Sequence, residues 1–271
     1  MKPWWRCSTE RESRSGLNVS GTNHPGALIV TGGSRGIGAA IALLAGKRGY
    51  AVAVNFSSDA KRAEDMVAQI ESAGGRAAAI PADISVEKDV IRLFEVAERD
   101  LGAIRALVNN AGITGGLTRL DRLKAQAIER VMAINVTGTI LCAREGVRRM
   151  STKHGGKGGA IVNISSRASH TGGAGEWVHY AASKGAIDAF TIGLAREVAA
   201  EGIRVNAVSP GLIQTGLHEA SGDGTRLARL APTVPMQRVG TPDEVAEAVL
   251  WLLSPAASYA TGTILNVSGG R

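Results

Sequence analysis

Near the start of the chain an apolar run, residues 27–31 (ALIVT), passes through Thr31-Gly32-Gly33-Ser34-Arg35-Gly36-Ile37-Gly38 into a segment with Ile37, Ile41 and Leu44 at helical spacing. Few folds take a buried strand into a helix through so many glycines. In a doubly wound α/β sheet this turn lies at the N-terminus of the first helix, where free N–H groups and the helix dipole favour an anion. Without side chains, the backbone can approach a phosphate closely. Glycine also serves ordinary turns, so the position between strand and helix carries the reading. A GxxxxGK[ST] phosphate loop is absent, which argues against nucleoside triphosphate hydrolysis.

The alternation continues along the chain. Residues 51–55 (AVAVN), 77–80, 106–109 (ALVN), 160–165 (AIVNIS), 204–208 (RVNAV) and 264–267 (ILNV) read as further strands. Ala63, Met66, Val67 and Ile70 mark a helix that ends at Gly74 and Gly75. Val90, Leu93, Phe94 and Ala97 mark the next, with Ser85 as its cap. Helices are also predicted over about 122–150 and 177–200, and Thr241-Pro242-Asp243-Glu244 opens a last one with a capping box and proline at its first position. Strands apolar on both faces, alternating with helices, predict an α/β fold: a single-domain, Rossmann-type doubly wound parallel sheet of about seven strands, with helices on both faces. That domain is expected over 26–271. Residues 1–25 lack an apolar period and are expected to be a disordered N-terminal extension.

Composition removes several function classes. Two cysteines, Cys7 and Cys142, cannot staple a secreted scaffold, and the five histidines show no HxxxH or HExxH spacing, so no metal site is expected. No apolar run approaches the roughly 20 residues needed to cross a bilayer, and no signal-peptide core follows the basic start. A cytoplasmic protein without a membrane partner is expected. The net charge is +7, and its densest basic stretch is Arg144, Arg148, Arg149, Lys153 and Lys157. Aromatic residues for base stacking are missing there, which argues against nucleic acid.

Four motifs in order make the chain resemble the short-chain dehydrogenase/reductase family from about residue 26 onward: TGxxxGxG at 31–38, Asn109-Asn110-Ala111-Gly112, Tyr180-Ala181-Ala182-Ser183-Lys184, and Pro210-Gly211 through Thr215. The chemistry of the third is readable by itself. Residues i and i+4 share a helix face, so the Lys184 ammonium can sit near the Tyr180 phenol and lower its pKa from about 10 toward neutrality. The resemblance implies hydride transfer between a nicotinamide and a carbinol carbon. It makes Tyr180 the acid/base, Lys184 its partner and a nicotinamide-ribose ligand, and Asn135 the holder of a proton-relay water. A serine at the end of the fifth strand would polarise the substrate oxygen. Ser165 and Ser166 compete for that role; the family's ISS string favours Ser166, 14 residues before Tyr180. A one-residue insertion around 172–179 accounts for the slightly long spacing.

The remaining expectations concern ligands. The cofactor site is expected to comprise Gly32, Ser34, Arg35, Gly36, Ile37, Gly38, Phe56, Ser57, Asp83, Ile84, Asn110, Ala111, Gly112, Tyr180, Lys184, Pro210, Gly211, Ile213 and Thr215. Phe56 stands where an NAD enzyme usually has a carboxylate at the end of the second strand. Together with the Arg35 cation and the Ser57 and Ser58 hydroxyls, this favours NADP over NAD. Asp59 is expected to cap a helix. Residues 172–179 and 212–235 are expected to line the substrate pocket, with Glu176, Trp177 and His218 as contacts; His170 and His179 flank that loop and could reach substrate, but each reads better as a solvated loop histidine. Those contacts suit a sugar, a polyol or a small ketone, in keeping with a resemblance to glucose-dehydrogenase-like members. A 3-oxoacyl-carrier-protein reductase, with the basic stretch receiving an acidic carrier, is the alternative. A non-catalytic NADP-binding sensor or structural subunit is the other, although Asn135, Ser166, Tyr180 and Lys184 are all retained. The resemblance also implies a homotetramer built through the long helices near 122–150 and 177–200 and the C-terminus.

Overall fold

Seven short strands form one parallel sheet in the computed structural model, which describes residues 25–216 and 224–271. They are β1 (Ala27–Val30), β2 (Ala51–Phe56), β3 (Arg76–Pro81), β4 (Ile104–Asn109), β5 (Gly159–Ile164), β6 (Ile203–Pro210) and β7 (Ile264–Val267). Their order is β3-β2-β1-β4-β5-β6-β7, and every pairing is parallel. Winding runs outward from β1 to β3, then resumes at β4 on the other side of β1. That reversal opens a crevice above the C-terminal ends of β1 and β4, where this architecture binds ligands. The expected doubly wound sheet is the one observed. Of residues 1–25 only Pro25 is described, so the N-terminal extension lies outside the described residues, as does His218.

The period of two in each strand divides the apolar residues between two cores. Leu28, Val30, Val52, Val54, Val108 and Val162 face one layer, packing with Ile41 of α1 (Gly36–Lys47), Met66 and Ile70 of α2 (Ala60–Ser72), and Val245 and Val249 of α9 (Pro242–Leu253). Ile29, Leu107, Ile161 and Val205 face the other. There they meet Leu93 and Phe94 of α3 (Glu87–Leu101), Cys142 and Met150 of α5 (Thr139–Met150), and Ala195 and Val198 of α7 (Val178–Val198). Small aliphatic side chains dominate both cores, where helices pack directly on the two faces of the sheet. Among the described residues no helix is long and apolar enough to cross a membrane.

Helix starts follow their local chemistry, with two departures from expectation. Asp59 caps α2 by accepting from the Arg62 N–H at 3.1 Å, and Thr241 and Glu244 form a capping box on α9. Ser85 does not cap α3. Its hydroxyl donates instead to the Asp83 carboxylate at 2.6 Å, and Glu87 and Asp89 supply the negative charge that suits the helix N-terminus. The expected helix over 122–150 is also not continuous. It is built from a 3₁₀ turn (Leu120–Arg122), α4 (Ala125–Met132), a π-helical turn (Ala133–Gly138) and α5. Asn135 lies inside the π turn, and its side chain reaches across to Ile113 and Ser183.

A buried polar ladder crosses this core. Asn109 of β4 donates to Asn163 of β5 at 2.9 Å, Asn163 donates to Thr191 of α7 at 2.9 Å, and Thr191 donates to the Ile187 carbonyl at 2.8 Å. It fixes α7 against the sheet at one height. Thr191→Val keeps the shape but leaves the Asn163 amide without its acceptor. We expect it to lower stability by about 1–3 kcal/mol, measured by urea unfolding.

Candidate active site

The crevice at the reversal is a cavity of about 1110 Å³, above the roughly 300–1,000 Å³ of drug-sized ligand sites. Its floor is the turn after β1. Gly32 adopts φ +61° there, and a Cβ at Gly38 would collide with the Gly32 carbonyl, so both positions need glycine. Arg35, the N-cap of α1, provides no side-chain cap, which leaves the helix N-terminus to the cavity. Asn110 donates to the Thr31 and Gly32 carbonyls at 2.9 and 3.0 Å, while the Thr31 hydroxyl accepts from the N–H groups of Asn110 and Ala111 at 2.9 and 3.0 Å. The turns after β1 and β4 are therefore one hydrogen-bonded unit. Asn55, which the sequence reading did not single out, accepts from the Gly32 N–H and donates to the Ile80 and Ala82 carbonyls. Its signal was an amide in an otherwise apolar strand.

All the expected cofactor residues line this cavity except Gly38, which is packed beneath Gly32. At the distal end Phe56 is half-buried, and Arg35, Ser57 and Ser58 are exposed. Arg62 also lines the wall and was missed; it stands one turn past the Asp59 cap, paired with that carboxylate at 3.1 Å. Asp83 receives Ser85 and Arg130, the latter at 2.9 Å. Burial acts to raise the Asp83 carboxyl, but the Ser85 and Arg130 hydrogen bonds outweigh it and hold the group below its usual value. A glycine-lined cradle, an uncapped helix N-terminus and a cavity of this size fit a dinucleotide.

At the other end, α7 begins at Val178 and buries Tyr180 and Lys184 on one face. Ser166 lines the cavity with Tyr180 and acts to lower the phenol's pKa, and its Oγ accepts from the Ala168 N–H at 3.1 Å. Lys184 Nζ donates to the Ile164 carbonyl at 2.6 Å and lies 5.7 Å from the centre of the Tyr180 ring. Burial pulls this ammonium down to about 8, against the charge of Asp188. The expectation of a lowered Tyr180 pKa is corrected here. Burial pushes the phenol up, the Ser166 hydrogen bond opposes it only in part, and Lys184 spends its close contact on a carbonyl. Asn135 stands behind the cavity rather than in it. It holds the Ile113 backbone through two 2.9 Å bonds, and a Cβ at Gly112 would come within 3.2 Å of Asn135 Oδ1 and 3.6 Å of Lys184 Nζ.

The wall beyond Tyr180 is aromatic and charged. The Trp177 ring lies 5.7 Å from Tyr180, Arg226 stacks over Trp177 at 4.5 Å, and Arg226 pairs with Glu176. Arg226 was not anticipated. Neither His170 nor His179 lines the cavity: His170 is the solvated histidine expected, bonding Ser169 at 2.8 Å on the surface, whereas His179 is not solvated but buried beside Gly115. The basic stretch is largely neutralised. Arg144 pairs with Glu87, Arg148 and Arg149 with Glu145, and Lys153 with Glu201. Among the described residues no group of three or more His, Cys, Asp or Glu could hold a metal ion.

A family model described as Enoyl-(Acyl carrier protein) reductase matches residues 32–271. The uncharacterized oxidoreductase YgfF of Escherichia coli (strain K12) is 51% identical over 243 residues, covering 90% of this chain and 98% of that protein. The 3beta-hydroxysteroid dehydrogenase 1 of Eggerthella lenta is 39% identical, covering 90% and 92%. Among solved structures, a blue fluorescent protein from a metagenomic library in complex with NADPH superposes with a TM-score of 0.83 at 36% identity, covering 90% of this chain and 97% of that one.

Because the Gly38 position has no room for a methyl group, Gly38→Ala must displace the Gly32 carbonyl and the turn it belongs to. We expect nicotinamide dinucleotide affinity to fall by at least about tenfold, roughly 1.4 kcal/mol, measured by fluorescence titration of the folded variant.

Proposed function

The chain belongs to the short-chain dehydrogenase/reductase family of nicotinamide-dependent oxidoreductases, and from that premise we propose that it is an NADP(H)-dependent enzyme interconverting a carbonyl and a secondary alcohol on a sugar, polyol or small ketone. The observation that carries this reading is the convergence of Tyr180, Ser166 and Lys184 on one end of a dinucleotide-sized cavity, with the Lys184 ammonium 5.7 Å from the centre of the Tyr180 ring. When bound, the nicotinamide supplies or accepts the hydride. Tyr180, kept protonated by burial, donates its proton to a carbonyl oxygen that Ser166 orients. The Lys184 ammonium stabilises the phenolate left behind, and Asn135 holds the Ile113 loop that closes this corner. Tyr180, Ser166 and Lys184 line the cavity in which the reacting groups would meet, and Asn135 acts through its neighbours.

Three features support NADP. The half-buried Phe56 offers no carboxylate to the ribose, the Asp59 carboxylate is committed to capping and to Arg62, and Arg35 and Arg62 both line the distal wall. A carrier-protein substrate gains no support from the basic stretch, four of whose five cations are paired with carboxylates. The retained catalytic group speaks against a purely binding role. A homotetramer is part of this reading, supported by the exposed apolar side chains Ile128, Met132 and Ile140 of α4 and α5, and Trp251 and Tyr259 near the C-terminus.

Oxidation of NADPH against ketones, ketoses and 3-oxoacyl thioesters, with NADH as control, tests the substrate and cofactor together. Tyr180→Phe is expected to lower kcat by about 10²–10⁴-fold while NADPH affinity stays within about twofold; retained turnover would rule out the proton donor. Removing both Arg35 and Arg62 as alanines should weaken NADPH by about tenfold or more, from lost charge-assisted contacts, and leave NADH unchanged. Faster turnover with NADH in the unaltered enzyme would sink the NADP assignment.

A further inference from the structure

Ser165 and Ser166 follow β5 side by side and serve different environments. Ser166 meets the cavity and the Tyr180 phenol. Ser165 is buried, its N–H donates to the Val208 carbonyl at 2.8 Å, and its hydroxyl donates to Asp188 Oδ1 at 2.5 Å. Asp188 is itself only 9% exposed and lies four residues after Lys184 on α7. Among the described residues it forms no ion pair within 4.0 Å. A buried carboxylate with one hydroxyl for company is costly unless its charge is used.

The charge it acts on is that of Lys184. The ammonium is buried, and each element packed around it offers an uncharged group: the Ile164 carbonyl from β5, Gly112 from the turn after β4, Asn135 from the π turn, and the protonated Tyr180 phenol from α7 itself. His179, the other titratable side chain on this part of α7, is turned toward Gly115 and Val131. Asp188 is buried one turn further along the same face of α7, and the Ser165 hydroxyl reaches both its carboxylate and the Lys184 carbonyl, so its negative charge is held where it can oppose the desolvation of the ammonium.

We propose that Asp188, anchored by Ser165, is a positioning residue whose carboxylate keeps Lys184 in its charged form and so keeps the Tyr180 proton transfer supplied with a cation. The proposal rests on the reading that Tyr180 and Lys184 carry the proton chemistry. The Ser165 hydroxyl bonds the Asp188 carboxylate at 2.5 Å and reaches the Lys184 carbonyl at 3.5 Å, which ties that helix turn to the end of β5. The sign follows from charge. Lys184 is cationic below about 8 and neutral above it; without the negative charge, burial acts alone and the proton is lost at lower pH.

The test follows the lysine directly in the full-length protein without substrate. With lysine labelled at the ε-carbon, the Lys184 resonance is assigned by its loss in Lys184→Arg and titrated by NMR. In the unaltered protein it should titrate near 8. In Asp188→Asn, which keeps an acceptor for Ser165, the midpoint should fall by about one pH unit. In Asp188→Glu it should stay close to the unaltered value. The alkaline limb of kcat for carbonyl reduction with NADPH should move down in the Asn variant and stay in the Glu variant. Asp188→Ser serves if the Asn variant does not fold. An unmoved Lys184 midpoint in a folded, neutral variant overturns the proposal, and so does an equal drop in Asp188→Glu, which would mark a purely structural role. Retained activity in Tyr180→Phe would instead defeat the catalytic reading while leaving the lysine titration to stand by itself.

Discussion

The contact on which the rest of this site depends is the tie between the turns after β1 and β4. Reversal of the winding direction separates the two strand ends by more than seventy residues of chain yet sets them side by side. Thr31 and Asn110 then lock them through four hydrogen bonds, two accepted by the Thr31 hydroxyl and two donated by the Asn110 amide. A crevice formed by topology alone would be only a gap between helices. Pinning its two lips makes a cradle of fixed width, with the backbone of the glycine turn on one side and the Gly112 corner on the other. Asn55 performs the same service one strand further out, joining the glycine turn to the ends of β2 and β3.

That scaffold sets the terms for the ionisable groups. Tyr180 and Lys184 come from one helix face, and burial moves their pKa values in opposite directions but both toward the neutral form: the phenol keeps its proton, and the ammonium is brought close to giving up its own. A neutral phenol is the form that donates a proton to a carbonyl, so burial favours the reductive role at neutral pH. The same burial exposes the pair to failure if the lysine loses its charge. On the proposed reading, polar groups packed against them bear on the chemistry even where they touch no ligand. Asn135 belongs to this class. Its amide is fully used on Ile113 and Ser183, so its effect reaches the cavity through the shape of the loop carrying Gly112 and Ile113.

The sheet was legible because both faces of its strands are buried, which gives continuous apolar runs such as ALIV and AVAV between glycine-marked turns. The cofactor cradle was legible because only glycine meets its steric demand at Gly32 and Gly38. Groups whose placement depends on tertiary contact were harder to read. Arg62, Arg130 and Arg226 come from helices that converge on the crevice, and nothing in their immediate neighbours distinguishes them from surface arginines. The broken helix at 133–138 was missed because a π turn keeps a nearly helical apolar period while shifting one residue out of register. The basic stretch was misleading in part for a related reason: Glu87, Glu98 and Glu201, which compensate it, lie on other elements, whereas Glu145, which pairs with Arg148 and Arg149, stands among the arginines on α5 itself.

The adjacent serines show how a single step of strand geometry divides labour. Successive residues on an extended backbone point to opposite faces. Of two neighbouring hydroxyls at the end of β5, one must turn toward the crevice and the other toward the helix layer. The motif comparison chose Ser166 for the crevice, and the hydrogen bonds place Ser165 on α7. A one-residue shift of register between β5 and β6 would exchange them, sending the hydroxyl that serves Tyr180 into the core and leaving Asp188 without its donor. The pairing of Ile164 with Val208 prevents this, because a slip would also turn the buried Val162 and Val208 side chains away from their helices. Hydrophobic pairing between two interior strands thus fixes the orientation of the active-site hydroxyl, and the chemistry inherits its accuracy from the core.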